Sequence, residues 1–272
     1  VNSGRPLPTP LSRPPPLAPL PTLCPAPLHA PEARMLVLAV HGSAVPEAGA
    51  TIARLADRLT AITGARPVVG HLDVQQPRLG DVLAQHPGAV VVPVLLGDGY
   101  HRKVDIPAVA RAYDCTVAEG LSAERDVTLA VHARLREAQA PLGEQADAIV
   151  VAGAGSTRPG GNDGTLAVAE GLRELLEVPV VAAYCSATEP TVEQAVERLR
   201  AQGHRRIAIA AHLLAPGRFT HALAKCGAWA VSAPVADHPR IARLVAGRYA
   251  AHGAGVTADE CGLRGPSPVG SG

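Results

Sequence analysis

The sequence predicts an α/β protein of two tandem, doubly wound parallel-sheet lobes, related by internal duplication, with a cleft between them. Three observations carry this. Short apolar runs, of the kind that form strands buried on both faces, alternate with stretches of 3.6-residue apolar period. The alternation runs to about residue 139 and then starts again. Backbone-shaping motifs of the first half recur in the second at near-constant spacing. A length of 272 residues is room for two such lobes.

The apolar run 35–40 ends at His41-Gly42, as expected of a first strand. Residues 46–63 place Ile52, Leu55, Ala56, Leu59 and Ile62 on one face behind an initial Pro46, which predicts a helix. Strands follow over 67–72, 89–96 and 115–118, and helices over 77–85, 106–113 and 124–138. The second half repeats the order, with strands over 148–152, 178–184, 207–214 and 229–233. Its helices are expected over 164–176, 190–201, 220–225 and 239–252. Units of this size imply parallel sheets covered on both faces.

Residues 1–34 hold 11 of the 26 prolines, a density that opposes helix and central strand alike. They are read as a disordered Pro-rich extension. Met35, the only methionine, stands just before the first apolar run and is expected to be the native start. Residues 254–272 are Gly/Pro/Ser-rich and read as a disordered tail. The expected domains are therefore an N-terminal catalytic lobe, 35–142, and a degenerate C-terminal lobe, 143–253, with the linker near 140–145.

Composition excludes several functions. The 25 basic and 24 acidic side chains leave a net charge of +1, against a nucleic-acid scaffold. Aromatic residues make up 2%, too few for base-stacking platforms. No apolar run approaches the length of a membrane span. The cysteines, Cys24, Cys115, Cys185, Cys226 and Cys261, are scattered and form no C-x-x-C pair. That argues against zinc knuckles, iron–sulfur sites and disulfide scaffolds and fits a reducing cytoplasm. The chain has no G-x-G-x-x-G after the first strand, no Walker lysine motif and no G-x-S-x-G elbow.

The halves superpose by motif. His41-Gly42-Ser43 falls on Ala154-Gly155-Ser156, Asp73 on Ser186 and Pro77 on Pro190, each pair 113 residues apart. Leu95-Leu96-x-x-Gly99-Tyr100-His101 falls on Leu213-Leu214-x-x-Gly217-Arg218-Phe219, 118 apart. The residues that shape the backbone persist, and the chemically active ones do not.

Ligands of open parallel sheets bind beyond the carboxyl ends of the strands. His41, Asp73 and His101 follow the first three strands and fall there. Two imidazoles and a carboxylate suit a borderline divalent metal. Each also has a plainer reading, since a lone histidine after a strand often caps a turn and Asp73 could support the turn before Pro77. His101 sits among Gly97, Gly99, Arg102 and Lys103, which permit a sharp backbone and mark a solvent-facing loop. His71 is read as a supporting group. His204, His212, His221, His238 and His252 show no partner pattern and read as structural or surface residues.

At these residues the chain resembles the class II sirohydrochlorin chelatases. The resemblance lies in His41-Gly42-Ser43, in Leu72-Asp73 leading to Pro77, and in Val92-Pro93-Val94-Leu95-Leu96-x-x-Gly99-Tyr100-His101-x-x-x-Asp105-Ile106-Pro107. The second half, with Leu213-Leu214-Ala215-Pro216-Gly217-Arg218-Phe219, is similar to their long two-domain form from high-GC bacteria. The resemblance implies insertion of a divalent metal into a free tetrapyrrole between two α/β lobes, with Fe²⁺ giving sirohaem and Co²⁺ a cobalamin intermediate. It makes His41 a metal-binding histidine and proton acceptor, His101 the second metal ligand, and Asp73 an acidic residue near the substrate. Ala44 departs from the family, whose members often carry Arg after His-Gly-Ser.

In this reading no permanent cofactor is needed, and the metal (Fe²⁺ or Co²⁺, with Ni²⁺ chemically acceptable) is a substrate. Neutral imidazole, with a pKa of roughly 6.5, can hold a metal or accept a proton near neutral pH. The loop Gly97, Asp98, Gly99, Tyr100 and the cations Arg102, Lys103 and Arg218 are expected to meet a sirohydrochlorin-like tetrapyrrole, guanidinium groups being suited to carboxylates. Phe219 and Ala154 would give the inert lobe an apolar wall. A monomer is expected, with neither nucleic acid nor membrane as partner. Two other readings stay open: a tetrapyrrole or metal carrier using the same cleft and, ranked below it, a hydrolase with His41 as base.

Overall fold

The computed structural model describes residues 34–97 and 104–252. β1 (Leu36–Val40), α1 (Pro46–Thr63), β2 (Val68–His71), α2 (Leu79–Gln85), β3 (Val90–Pro93), α3 (Ile106–Arg111), β4 (Thr116–Val117) and α4 (Arg125–Gln139) form the first half. A 3₁₀ turn at Ala140–Leu142 leads to β5 (Ala148–Gly153), α5 (Asp163–Leu175), β6 (Val180–Tyr184), α6 (Val192–Ala201), β7 (Ile207–His212), α7 (Arg218–Leu223), β8 (Ala230–Val231) and α8 (Pro239–Ala250). The strands make two four-stranded sheets of order β2-β1-β3-β4 and β6-β5-β7-β8. All pairings are parallel. This is the α/β architecture of two duplicated sheets that the alternation predicts.

The central strands owe their place to composition. β1 (LVLAV) and β5 (AIVVAG) are buried along their whole length, so both faces are covered and no polar residue is tolerated. β4 and β8, two residues each, close one edge of each sheet, which leaves little unpaired backbone there.

α2 and α6 start two residues after the prolines expected to open them. The Pro77 carbonyl accepts the His71 N–H at 3.0 Å and the Pro190 carbonyl accepts that of Tyr184 at 3.0 Å, so both prolines belong to a bridge along the edge strand. α6 then begins behind Thr191, which forms a capping box with Gln194.

The helices are shared between the lobes. α4, from the first half, packs on α5, β7 and β8 of the second sheet, while α8, from the second, packs on α1 and β3 of the first. Gly171 permits part of this: a Cβ there would lie 2.8 Å from Thr128 Cγ2 of α4. One core results, joining Leu38, Leu55 and Val92 to Val151, Val245 and Tyr249. Each buried leucine of this kind contributes about 1.5–3 kcal/mol. Charge pairs reinforce the crossing. Arg54 Nε lies 2.7 Å and Arg134 Nη2 2.6 Å from the two carboxylate oxygens of Asp237, just before α8. Arg240 pairs with Asp126 at 2.9 Å, and Arg248 pairs with Glu119 and Glu124. The Tyr249 hydroxyl donates to the Arg34 carbonyl at 2.5 Å. No helix among the described residues is long and apolar enough to cross a membrane.

Candidate functional site

In a sheet of order β2-β1-β3-β4 the chain reverses direction of winding between β1 and β3, and a crevice opens beyond their carboxyl ends. The second sheet has the same switch point between β5 and β7. The loops after these four strands line one cleft of about 980 Å³.

The first wall is built on His41, exposed at the end of β1. Gly42 follows with φ +96°, and a Cβ there would collide with the carbonyl oxygen of Asp73. The Asp73 N–H donates to the His41 carbonyl at 2.9 Å, and the Ser43 N–H donates to Gln75 Oε1 at 2.9 Å. The loops after β1 and β2 are thereby zipped together. Val74 is held at φ +63°, unusual for a β-branched residue, and lines the cleft with its side chain exposed.

The second wall repeats this backbone without its chemistry. Gly155 has φ +90° and would meet the Ser186 carbonyl as Gly42 meets that of Asp73. Ala187, at φ +66°, stands where Val74 stands in the first lobe. Ser186 Oγ donates to the Ala154 carbonyl at 3.0 Å, so a serine and an alanine stand where the first lobe has Asp73 and His41. The walls touch where Ser43 Oγ comes within 3.5 Å of the Pro216 carbonyl. They touch again where a Cβ on Gly97 would lie 3.0 Å from the Gly161 carbonyl.

Asp73 lies beside His41, but its carboxylate turns away. Oδ1 accepts the Val74 N–H at 2.8 Å and faces Arg78 Nη1 at 3.4 Å. The Val74 hydrogen bond and then Arg78 hold its pKa below the usual carboxylate value, against an opposing effect of desolvation, with the nearby His41 contributing least. Asp73 does not line the cleft, whereas Val74 and Gln75 do. His71 lines it and is tied through Nδ1 to the Pro77 carbonyl at 3.1 Å. Gly97 lines it. Arg218 does too, exposed, with its guanidinium 4.9 Å from the Phe219 ring centroid. Asp98, Gly99, Tyr100, His101, Arg102 and Lys103 lie outside the described residues. Among the described residues no group of three His, Cys, Asp or Glu side chains could hold a metal ion.

The electrostatics of the cleft are one-sided. Its described charged lining consists of Arg66, Arg158 and Arg218, with no Asp or Glu. In a chain of 25 basic and 24 acidic side chains this lining is more basic than the whole, with Arg66 also facing Asp57 at 3.4 Å. Ile52, Leu96, Leu214 and Phe219 supply apolar area. Arg66 and Arg158 were not legible in the sequence, where they resemble any solvated charge. The same holds for the pair Thr165 and His212 on the cleft floor, whose one signal is a histidine inside the apolar run 207–214.

Fold and site define a class: a two-lobed, duplicated α/β protein with a ligand-sized cleft at paired switch points. The family model of CbiX matches residues 35–138 and 148–252, and the chain belongs to the CbiX family. A search of curated proteins by sequence finds no match. Among solved structures the chain is similar to SirB from Bacillus subtilis with Fe³⁺, at 22% identity and TM-score 0.66 over 85% of this chain and 98% of that one. It is similar to the sirohydrochlorin chelatase SirB from Bacillus subtilis subspecies spizizenii in complex with cobalt, at 20% identity and TM-score 0.64 over 80% and 95%. It is also similar to CbiX, the terminal enzyme for biosynthesis of sirohaem in denitrifying bacteria, at 17% identity and TM-score 0.62 over 80% and 99%. At these identities the likeness establishes a shared fold.

Proposed function

We propose that the protein is a sirohydrochlorin chelatase, which seats a flat, carboxylate-rich tetrapyrrole in the cleft and inserts a divalent metal into it. The observation that carries this reading is the cleft itself. It is large, walled by apolar side chains, and its described charges are arginines alone. A macrocycle with a greasy face and a carboxylate rim matches both properties. Membership of the CbiX family and the chelatase structures that share the fold support it.

Insertion of M²⁺ requires loss of two pyrrole protons while the metal sheds its other ligands. His41, exposed at the rim, is proposed as both metal-binding residue and proton acceptor. His101, four residues after the cleft-lining Gly97, is proposed as the second metal ligand. So few protein ligands keep the ion transferable, unlike a closed four-ligand structural site. Asp73 is proposed to act from behind His41, as the acidic residue beside it at the rim. Arg158 and Arg218 are proposed to bind rim carboxylates, together with Arg102 and Lys103.

The test is an insertion assay with sirohydrochlorin and Fe²⁺, Co²⁺ or Ni²⁺ side by side at catalytic protein concentration. Multiple turnovers with at least one metal are expected. Stoichiometric binding without turnover would make the protein a carrier, and no binding at all would remove the tetrapyrrole reading.

A further inference from the structure

One polar pair in the second lobe has no role in the account above. Thr165, in the first turn of α5, and His212, the last residue of β7, both line the cleft and are 5% and 4% exposed. Superposing the halves by their motifs places Thr165 on Ile52 and His212 on Val94, which also line the cleft. An apolar pair thus serves the first lobe at positions where the second buries two hydrogen-bonding groups. The fold does not require them to be polar.

The pair is internally connected on one side only. Thr165 Oγ1 lies 3.0 Å from His212 Nδ1. With the Thr165 hydroxyl donating to Nδ1, the ring proton belongs on Nε2. Nε2 is buried and has no hydrogen-bond partner among the described residues. A buried donor left unpaired is destabilising, and native structures keep such groups rarely and for a reason. Burial also pushes the His212 pKa down to about 4, so the ring is neutral at physiological pH and, with Thr165 donating to Nδ1, offers its Nε2 proton without carrying charge.

We infer that His212, oriented by Thr165, is a neutral N–H donor that takes a carboxylate oxygen of the ligand at the cleft floor, making the second lobe a working part of substrate recognition. This rests on the tetrapyrrole reading. The anionic character of the ligand follows from the described charged lining of the cleft, which is arginine alone, and an N–H donor complements a carboxylate as those arginines do. A neutral donor adds orientation where a fourth charge would have to be buried.

The experiment compares the full chain with His212→Gln, which keeps an N–H donor, and His212→Met, which is of similar size and has none. Sirohydrochlorin Kd is read by absorbance titration, and kcat and KM by metal insertion. His212→Met is expected to raise Kd and KM at least tenfold with kcat within about twofold, and His212→Gln to stay within about threefold of wild type. The double variant Thr165→Ile with His212→Val, which copies the first lobe, is expected to unfold at the same temperature or higher and to bind as weakly as His212→Met. Wild-type affinity in His212→Met, or equal losses in Gln and Met, overturns the inference while leaving the chelatase reading intact. Failure of the wild-type chain to bind sirohydrochlorin overturns both.

Discussion

Gly42 passes so close to the carbonyl of Asp73 that no side chain fits between them, and Gly155 stands in the same relation to Ser186, 113 residues later. At both positions φ is positive, near +90°. The duplication is therefore preserved in backbone geometry at a point where the side-chain chemistry has diverged. In the first lobe this contact locks the His41 loop to the Asp73 loop. In the second it locks two loops that carry alanine and serine.

Gly42→Ala should break that lock. A non-glycine residue in the left-handed region costs about 1–2 kcal/mol, and the collision adds to it. Urea denaturation should show at least this loss, and metal insertion should fall with it. Gly155→Ala should lose comparable stability. An unchanged unfolding midpoint in either variant contradicts the geometry.

The exchange of α4 and α8 predicts that neither half is a stable monomer. Residues 35–142 alone would expose the α4 face that packs on the second sheet and leave α1 and β3 without α8. Size-exclusion chromatography and near-ultraviolet circular dichroism of that fragment should report self-association or loss of fixed packing. Cooperative unfolding of a monomeric fragment would argue against a shared core.

Asp237 couples the lobes in a pH-dependent way. Its partial burial raises the carboxyl pKa, but Arg54 and Arg134 outweigh this and hold it below the ordinary value. A depressed acid contributes stability that is fully present above the unfolded pKa of about 3.9 and lost as pH falls through the lower folded value. Asp237→Asn should therefore lower stability by roughly 1–3 kcal/mol at pH 7. The gap to wild type should close as the pH drops below about 4. A gap independent of pH would assign the effect to packing.

Arg158→Gln and Arg218→Gln should each weaken binding of the carboxylate-rich substrate. A loss of about 1–2 kcal/mol per residue corresponds to roughly 5–30-fold in KM. The value of kcat should change little, and the wild-type KM should rise with salt. A fall in kcat at constant KM would point to a role in chemistry instead.

Much of this was legible in the sequence. The alternation of apolar runs gave the order of elements, and the recurring Gly-Ser and Leu-Leu-x-x-Gly motifs marked the duplication. His41 is expected at the sheet mouth because it follows the first strand, and it lines the cleft there, although a histidine at such a position often only caps a turn. The exchange of α4 and α8 was hidden, because amphipathic spacing says that a face is buried but not which sheet buries it. The late starts of α2 and α6 were hidden because the Pro77 and Pro190 carbonyls accept hydrogen bonds from the edge-strand N–H groups of His71 and Tyr184. Arg66 and Arg158 belong to the cleft only through tertiary placement. In the sequence His212 is one more strand residue, and its unpaired nitrogen beside Thr165 arises only in the fold.

The claim on which the rest depends is that His41 performs metal insertion at this cleft. Its most direct test is the initial rate of insertion into sirohydrochlorin by wild type and His41→Ala, each checked for an unchanged melting temperature, with His101→Ala alongside. Loss of a metal-binding proton acceptor should cost at least about 100-fold in rate. Full activity in His41→Ala, with the fold intact, would contradict the account.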